Sequence, residues 1–193
     1  TAILTGLRPD TTKVWDLETH FRPALPDVLP LPGLFKEHGY FVQGMGKLYP
    51  GGFDDPPSWS VAWTDATGTK PYALPENLAL LRAPPPTGKA EKQAARNQNR
   101  GPAFESADVP DATFHDGALA ELAVSALRAC AKKDEPFWLG VGLIRPHLPF
   151  VAPKKYWDMY QRDKLPVLNP ARPEGAPELA FHQSTEVLGP PAQ

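Results

Sequence analysis

Twenty-five of the 193 residues are proline, about twice ordinary usage or more, and that density limits what the chain can fold into. Proline has no backbone N–H to give to a helix interior or a sheet ladder. Much of the chain must therefore be loop, with regular structure confined to a few intervals. Two of these have the same form. Leu31-Pro32-Gly33-Leu34-Phe35-Lys36-Glu37-His38-Gly39 reads as a short helix with Pro32 in its first turn and Gly39 past its end. Tyr40 to Met45 then supplies a strand, and Gly46-Lys47 follows it. Leu119, Leu122, Ala123, Ala126, Leu127 and Cys130 recur three and four apart and predict a second helix. Pro136 stops that helix, and the apolar run Phe137 to Leu143 reads as a strand buried on both faces. Two helix-then-strand units predict an α/β fold with a mainly parallel sheet flanked by helices and joined by long proline-rich loops.

Elsewhere the expectations are looser. Thr1 to Gly6 reads as a helix tail ended by a left-handed glycine, and Arg8-Pro9-Asp10-Thr11-Thr12 as a turn. From residue 50 to 110 no helix or strand is expected, which makes this stretch a long loop insertion. After Phe150 no further strand is expected. The length suits one domain.

The formal charge of -2 and pI near 6.2 give no basic field for nucleic acid. Cys130, alone in the chain, excludes an internal disulfide and a multi-cysteine zinc site, and reads as core packing. The opening residues contain no signal-like or membrane-spanning stretch, and the natural N-terminus is expected upstream of Thr1.

The chemistry-bearing residues fall at the two strand ends. Lys47 follows the first strand, and Arg145-Pro146-His147-Leu148-Pro149-Phe150 follows the second. In open α/β sheets ligands bind at the carboxyl edge of the strands. A lysine offers a compact charge for a tetrahedral oxyanion, and a histidine can donate a proton near neutral pH, a pairing suited to sulfate or phosphate ester cleavage. Arg145 is expected to make a structural ion pair. His20, His38, His115 and His182 read as surface histidines, and Asp54, Asp55 and Asp111 as turn residues.

Several motifs in series sharpen this reading: Leu4-Thr5-Gly6-Leu7-Arg8-Pro9-Asp10-Thr11-Thr12, Leu34 to Tyr40, Gly46-Lys47-Leu48-Tyr49, Asp55-Pro56-Pro57-Ser58-Trp59-Ser60, Gly101 to Asp111, and Arg145 to Trp157. In order and spacing they resemble the iduronate-2-sulfatase-like sulfatases of the alkaline-phosphatase-like superfamily. The resemblance implies a partial sulfatase fold, with residues 1–193 an internal piece of one catalytic domain cut at both ends. It implies a formylglycine nucleophile from a Cys-X-Pro-Ser-Arg motif upstream of residue 1. It also implies one calcium ion whose ligands lie outside this chain, so no metal residue is assigned. Lys47 matches the family's sulfate-binding lysine. His147 matches the histidine that binds sulfate and protonates the leaving oxygen. The substrate would be a sulfated carbohydrate, a uronate-containing polysaccharide of the glycosaminoglycan kind, and the location extracytosolic. Two positions depart from the pattern. Pro50 stands where a nucleophile-orienting histidine is usual, leaving His38 or another group to substitute, and Ile144 replaces a frequent histidine. A non-catalytic anion-binding or carbohydrate-binding remnant and a phosphoesterase relative are the alternatives.

Overall fold

The computed structural model describes residues 1–81, 101–167 and 171–181. They form two compact units, Thr1–Thr69 with His115–Ile144, and Lys70–Phe114 with Arg145–Gln193. His182 lies outside the described residues.

The first unit is a small α/β layer. Helix α1, Ala2–Thr5, ends on Gly6 at φ 68°, the left-handed cap expected from the sequence. The Arg8–Thr12 segment differs from its turn reading: Pro9–Thr12 closes as a one-turn helix, α2. Proline at the first helical position has φ already set and lacks an N–H that would have been unpaired there anyway. Helix α3, Leu31–Glu37, feeds strand β1, Phe41–Gly46, through Gly39 at φ 81°.

The second expected helix and strand are also present. With helix α4, Pro75–Leu80, and strand β2, Phe104–Ala107, of the other unit intervening in the chain, they are helix α5, His115–Cys130, and strand β3, Phe137–Gly142. Strands β1 and β3 pair in parallel, from Phe41 opposite Phe137 to Gly46 opposite Gly142. On the other side of β1 runs the segment 60–64. The Ser60 N–H donates to the Val42 carbonyl at 2.7 Å, and the Gly46 N–H to the Thr64 carbonyl at 3.0 Å. The core gathers Phe21, Val42, Tyr49 and Trp59, with Trp138 and Phe35 against it. Gly44 admits the Trp59 ring, because a β-carbon there would lie 2.8 Å from it.

Burial departs from the sequence expectation in two places. On α5, Leu119 and Cys130 are buried but Leu122 and Leu127 stay exposed. On β3, Val141 is 37% exposed, so the strand is not covered on both faces. The described sheet in this unit has two strands, and so short a sheet cannot bury both sides of an apolar run.

The second unit corrects two expectations. Helix α4, Pro75–Leu80, and strand β2, Phe104–Ala107, lie within the stretch read as structureless, and strand β4, Phe150–Pro153, follows where none was expected. Strands β2 and β4 pair in parallel, Phe104 opposite Phe150 through Ala107 opposite Pro153, and helix α6, Lys154–Trp157, continues the chain. Periodicity concealed β2 because one of its inward residues is Glu105, only 3% exposed. Its carboxylate accepts the Ala73 and Leu74 N–H groups at 2.6 and 3.2 Å and the Asn77 amide at 2.6 Å, satisfying the charge that burial would otherwise penalise. Tyr72, Phe114 and Val151 form the core of this unit.

Candidate active-site edge

The carboxyl edge of the β1/β3 pair is built by two glycines at backbone contact distance. Gly46 has φ 68°, and a β-carbon on it would lie 2.3 Å from the Gly142 oxygen; one on Gly142 would lie 2.2 Å from the carbonyl of Lys47. Side chains of any size are therefore excluded from both positions. The resulting close approach lets the Lys47 N–H donate to the Gly142 oxygen at 2.7 Å, after which the Leu48 N–H returns to the Gly46 oxygen at 2.9 Å. Lys47 is thus fixed through its backbone while its side chain is exposed. A point charge on a rigid strand end, turned to solvent, suits an incoming oxyanion.

The same edge carries a group that the sequence reading passed over. The Trp63 indole donates to the Gly46 oxygen at 2.9 Å. Two residues on, Asp65 Oδ1 lies 2.7 Å from His115 Nε2, and Asp116 Oδ1 lies 3.0 Å from His115 Nδ1. Asp116 also accepts the Ile144 N–H at 2.9 Å, just beyond β3. Burial of the imidazole works against its charge, but the hydrogen bonds to Asp116 and Asp65 outweigh this and raise its pKa above the ordinary value. His115 was read as a surface histidine because its partner Asp65 is fifty residues away; the adjacent His-Asp pair at a helix start was the one local signal.

His147 belongs to the second unit and is exposed. Its ring is oriented by Nδ1, 2.8 Å from the Leu148 oxygen, and the peptide bonds preceding Pro146 and Pro149 are both cis. Arg145 braces this loop, donating from Nη1 to the His147 oxygen at 3.0 Å and from Nε to the Val151 oxygen at 3.4 Å. Its structural role was expected, though these partners are carbonyls. Lys47 belongs to the first unit, so each of the two candidate residues is positioned by contacts within its own unit.

The remaining candidates have structural partners. His20 accepts the Arg22 N–H at Nδ1 and faces the Asp54 oxygen with Nε2. Asp55 holds Arg22, Asp54 accepts from the Trp59 indole, and Asp111 pairs with Lys155 and Tyr156. His38 bonds Leu34 at the amino end of β1, about 20 Å from Lys47 at roughly 3.3 Å per strand residue, so it does not fill the position vacated by Pro50. Among the described residues no group of three or more His, Cys, Asp or Glu is placed to hold a metal, and Cys130 is buried at the end of α5. The described residues therefore fit neither a calcium site nor a formylglycine precursor, and no step is assigned to either.

No family model matches the chain. It is 30% identical over 188 residues, 94% of its length, to iduronate 2-sulfatase of Homo sapiens, and 30% identical over the same share to that of Mus musculus. It is 28% identical over 176 residues, 85% of its length, to a sulfatase of Formosa agariphila. In each case it spans 32% of the relative's length. Along nearly its whole length, then, the chain is similar to part of a sulfatase, and the two relatives at 30% identity are iduronate 2-sulfatases.

Proposed function

We propose that residues 1–193 are part of one sulfatase catalytic domain whose complete polypeptide hydrolyses sulfate esters of uronate-containing polysaccharides outside the cytosol. The observation that carries this reading is Lys47, held by the Gly46/Gly142 contact at the carboxyl edge of β1 within a motif that matches the sulfatase lysine. In the reaction Lys47 stabilises the sulfate oxygens as charge develops on them, an electrostatic contribution whose loss typically costs about 10²- to 10³-fold. His147 delivers a proton to the leaving sugar oxygen, worth about 10²- to 10⁴-fold. The nucleophile and calcium implied by the family would come from outside the described residues. Among those residues no helix is long and apolar enough to cross a membrane.

The experiment is a sulfatase assay on the complete reading frame, coexpressed with the formylglycine-generating enzyme, using 4-nitrocatechol sulfate and a 2-O-sulfated disaccharide. Lys47→Ala should lower turnover of both substrates. His147→Ala should lower disaccharide turnover far more, because 4-nitrocatechol leaves without needing a proton. Equal losses on both substrates would remove the acid role of His147. No turnover in the unsubstituted protein with formylglycine confirmed would favour the second reading, an anion-binding remnant, which Pro50 in the histidine position supports.

A further inference from the structure

We propose that His115 is a protonation-dependent latch: as an imidazolium it ties the segment carrying Trp63 and Asp65 to helix α5, and so holds the strand end from which Lys47 projects. This inference stands on the first unit alone and does not depend on the sulfatase reading.

The argument begins with hydrogen-bond valence. Both ring nitrogens face carboxylate oxygens, Asp65 at 2.7 Å and Asp116 at 3.0 Å. An ionised carboxylate is an acceptor only, and a neutral imidazole has one N–H. The observed arrangement is therefore complete only when both nitrogens carry protons. In a neutral ring one nitrogen lone pair would point at a carboxylate oxygen.

Which carboxylate then moves follows from how each is held. Asp116 is adjacent to His115 in the chain and is anchored again by the Ile144 N–H at 2.9 Å. Asp65 sits on the connecting segment, where its other bond in the unit is to the neighbouring Ala66 N–H at 2.8 Å. Deprotonation thus releases Asp65. The segment remains attached to β1 by Thr64 and by the Trp63 indole on the Gly46 oxygen, but loses its tie to α5. The charged groups facing the ring are Asp65 from the segment and Asp116 from α5, and both favour the imidazolium. Because the folded pKa is raised above 6.5, the latch is fully closed below that pH and opens as pH rises through the higher folded value.

The test uses the isotopically labelled 193-residue chain, with histidine-ring NMR and indole hydrogen exchange from pH 5.5 to 9. Trp59, whose indole donates to Asp54 at 2.7 Å in the same unit, serves as internal reference. His115 should titrate above the ordinary histidine value of 6.5, and the Trp63-to-Trp59 exchange ratio should rise at least fivefold across the His115 midpoint. His115→Gln should give a high, pH-independent ratio. Asp65→Asn, a milder change if His115→Gln fails to fold, should lower the His115 midpoint. A His115 midpoint at or below 6.5, or a ratio that stays flat across it in the unsubstituted chain, overturns the latch.

Discussion

Replacing Asp55 with alanine tests the packing that shapes the first unit. Asp55 is 1% exposed, and its carboxylate takes Arg22 Nε and Nη2 in a two-pronged contact, each at 2.7 Å, and the Ser58 hydroxyl at 2.5 Å. Arg22 Nη1 goes on to the Pro26 and Val28 carbonyls at 2.8 and 2.7 Å, so one ion pair fixes residues 22–28 and the turn that carries Trp59 into the core. Truncating the acid leaves a guanidinium, itself only 25% exposed, without its counter-charge, which costs about 3–5 kcal/mol. For a unit of roughly 100 residues, in which 1 kcal/mol moves the midpoint by about 4–8 °C, the fall should be at least ~12 °C. Thermal and urea unfolding, followed by fluorescence of the stacked Trp59 and Trp138 rings 6.1 Å apart, measure the fall and the cost. Arg22→Leu combined with Asp55→Ala should cost less than the sum of the two single changes by about 2 kcal/mol or more, as coupled partners do. Burial works to raise the Asp55 pKa, but the Arg22 and Ser58 hydrogen bonds prevail and lower it. The pair's contribution is therefore fully present above the usual carboxylate range and is lost as pH falls through the lower folded value. A cost below about 1 kcal/mol for Asp55→Ala, or strict additivity in the double variant, would refute the assignment of this pair as the unit's polar anchor.

Two further outcomes follow from close contacts. Gly142→Ala puts a β-carbon 2.2 Å from the Lys47 carbonyl and should destabilise by about 1–3 kcal/mol, with faster hydrogen exchange at the Lys47 amide than at mid-strand Val42 as the site-specific readout. Glu105→Gln leaves one acceptor oxygen for three donors and should cost about 1–3 kcal/mol in urea unfolding; no measurable change would mean that water takes over the lost bonds.

What the sequence disclosed was the part of the fold governed by local rules. Gly6 and Gly39 marked helix ends by conformation, and the three-and-four spacing from Leu119 to Cys130 marked α5. Helix-then-strand order twice over gave the parallel β1/β3 pair and placed Lys47 on its carboxyl edge. The second unit was hidden because its signals contradict those rules. An inward position of β2 is a glutamate, and β4 follows a proline-rich loop and ends on a proline, so neither shows the apolar alternation by which strands are recognised. His115 and Asp55 were hidden for another reason. Each owes its character to partners far along the chain, at Asp65 and Arg22, and no local pattern encodes a pairing across thirty or fifty residues.

The same long-range pairing bears on Pro50. The sulfatase pattern places a histidine three residues after the lysine to orient the nucleophile, and here that position has no imidazole. His115 stands on the same sheet edge and would be the obvious substitute by proximity. Its chemistry argues otherwise. A ring that donates from both nitrogens to Asp65 and Asp116 has no lone pair with which to take a proton, and the same carboxylates favour that imidazolium and raise its pKa above the ordinary value. His38, at the far end of β1, is excluded by distance. Restoring the family residue with Pro50→His therefore separates the two readings of this chain. Turnover by the complete polypeptide should rise if the pocket is otherwise intact, and should stay absent if the chain serves only to bind anions.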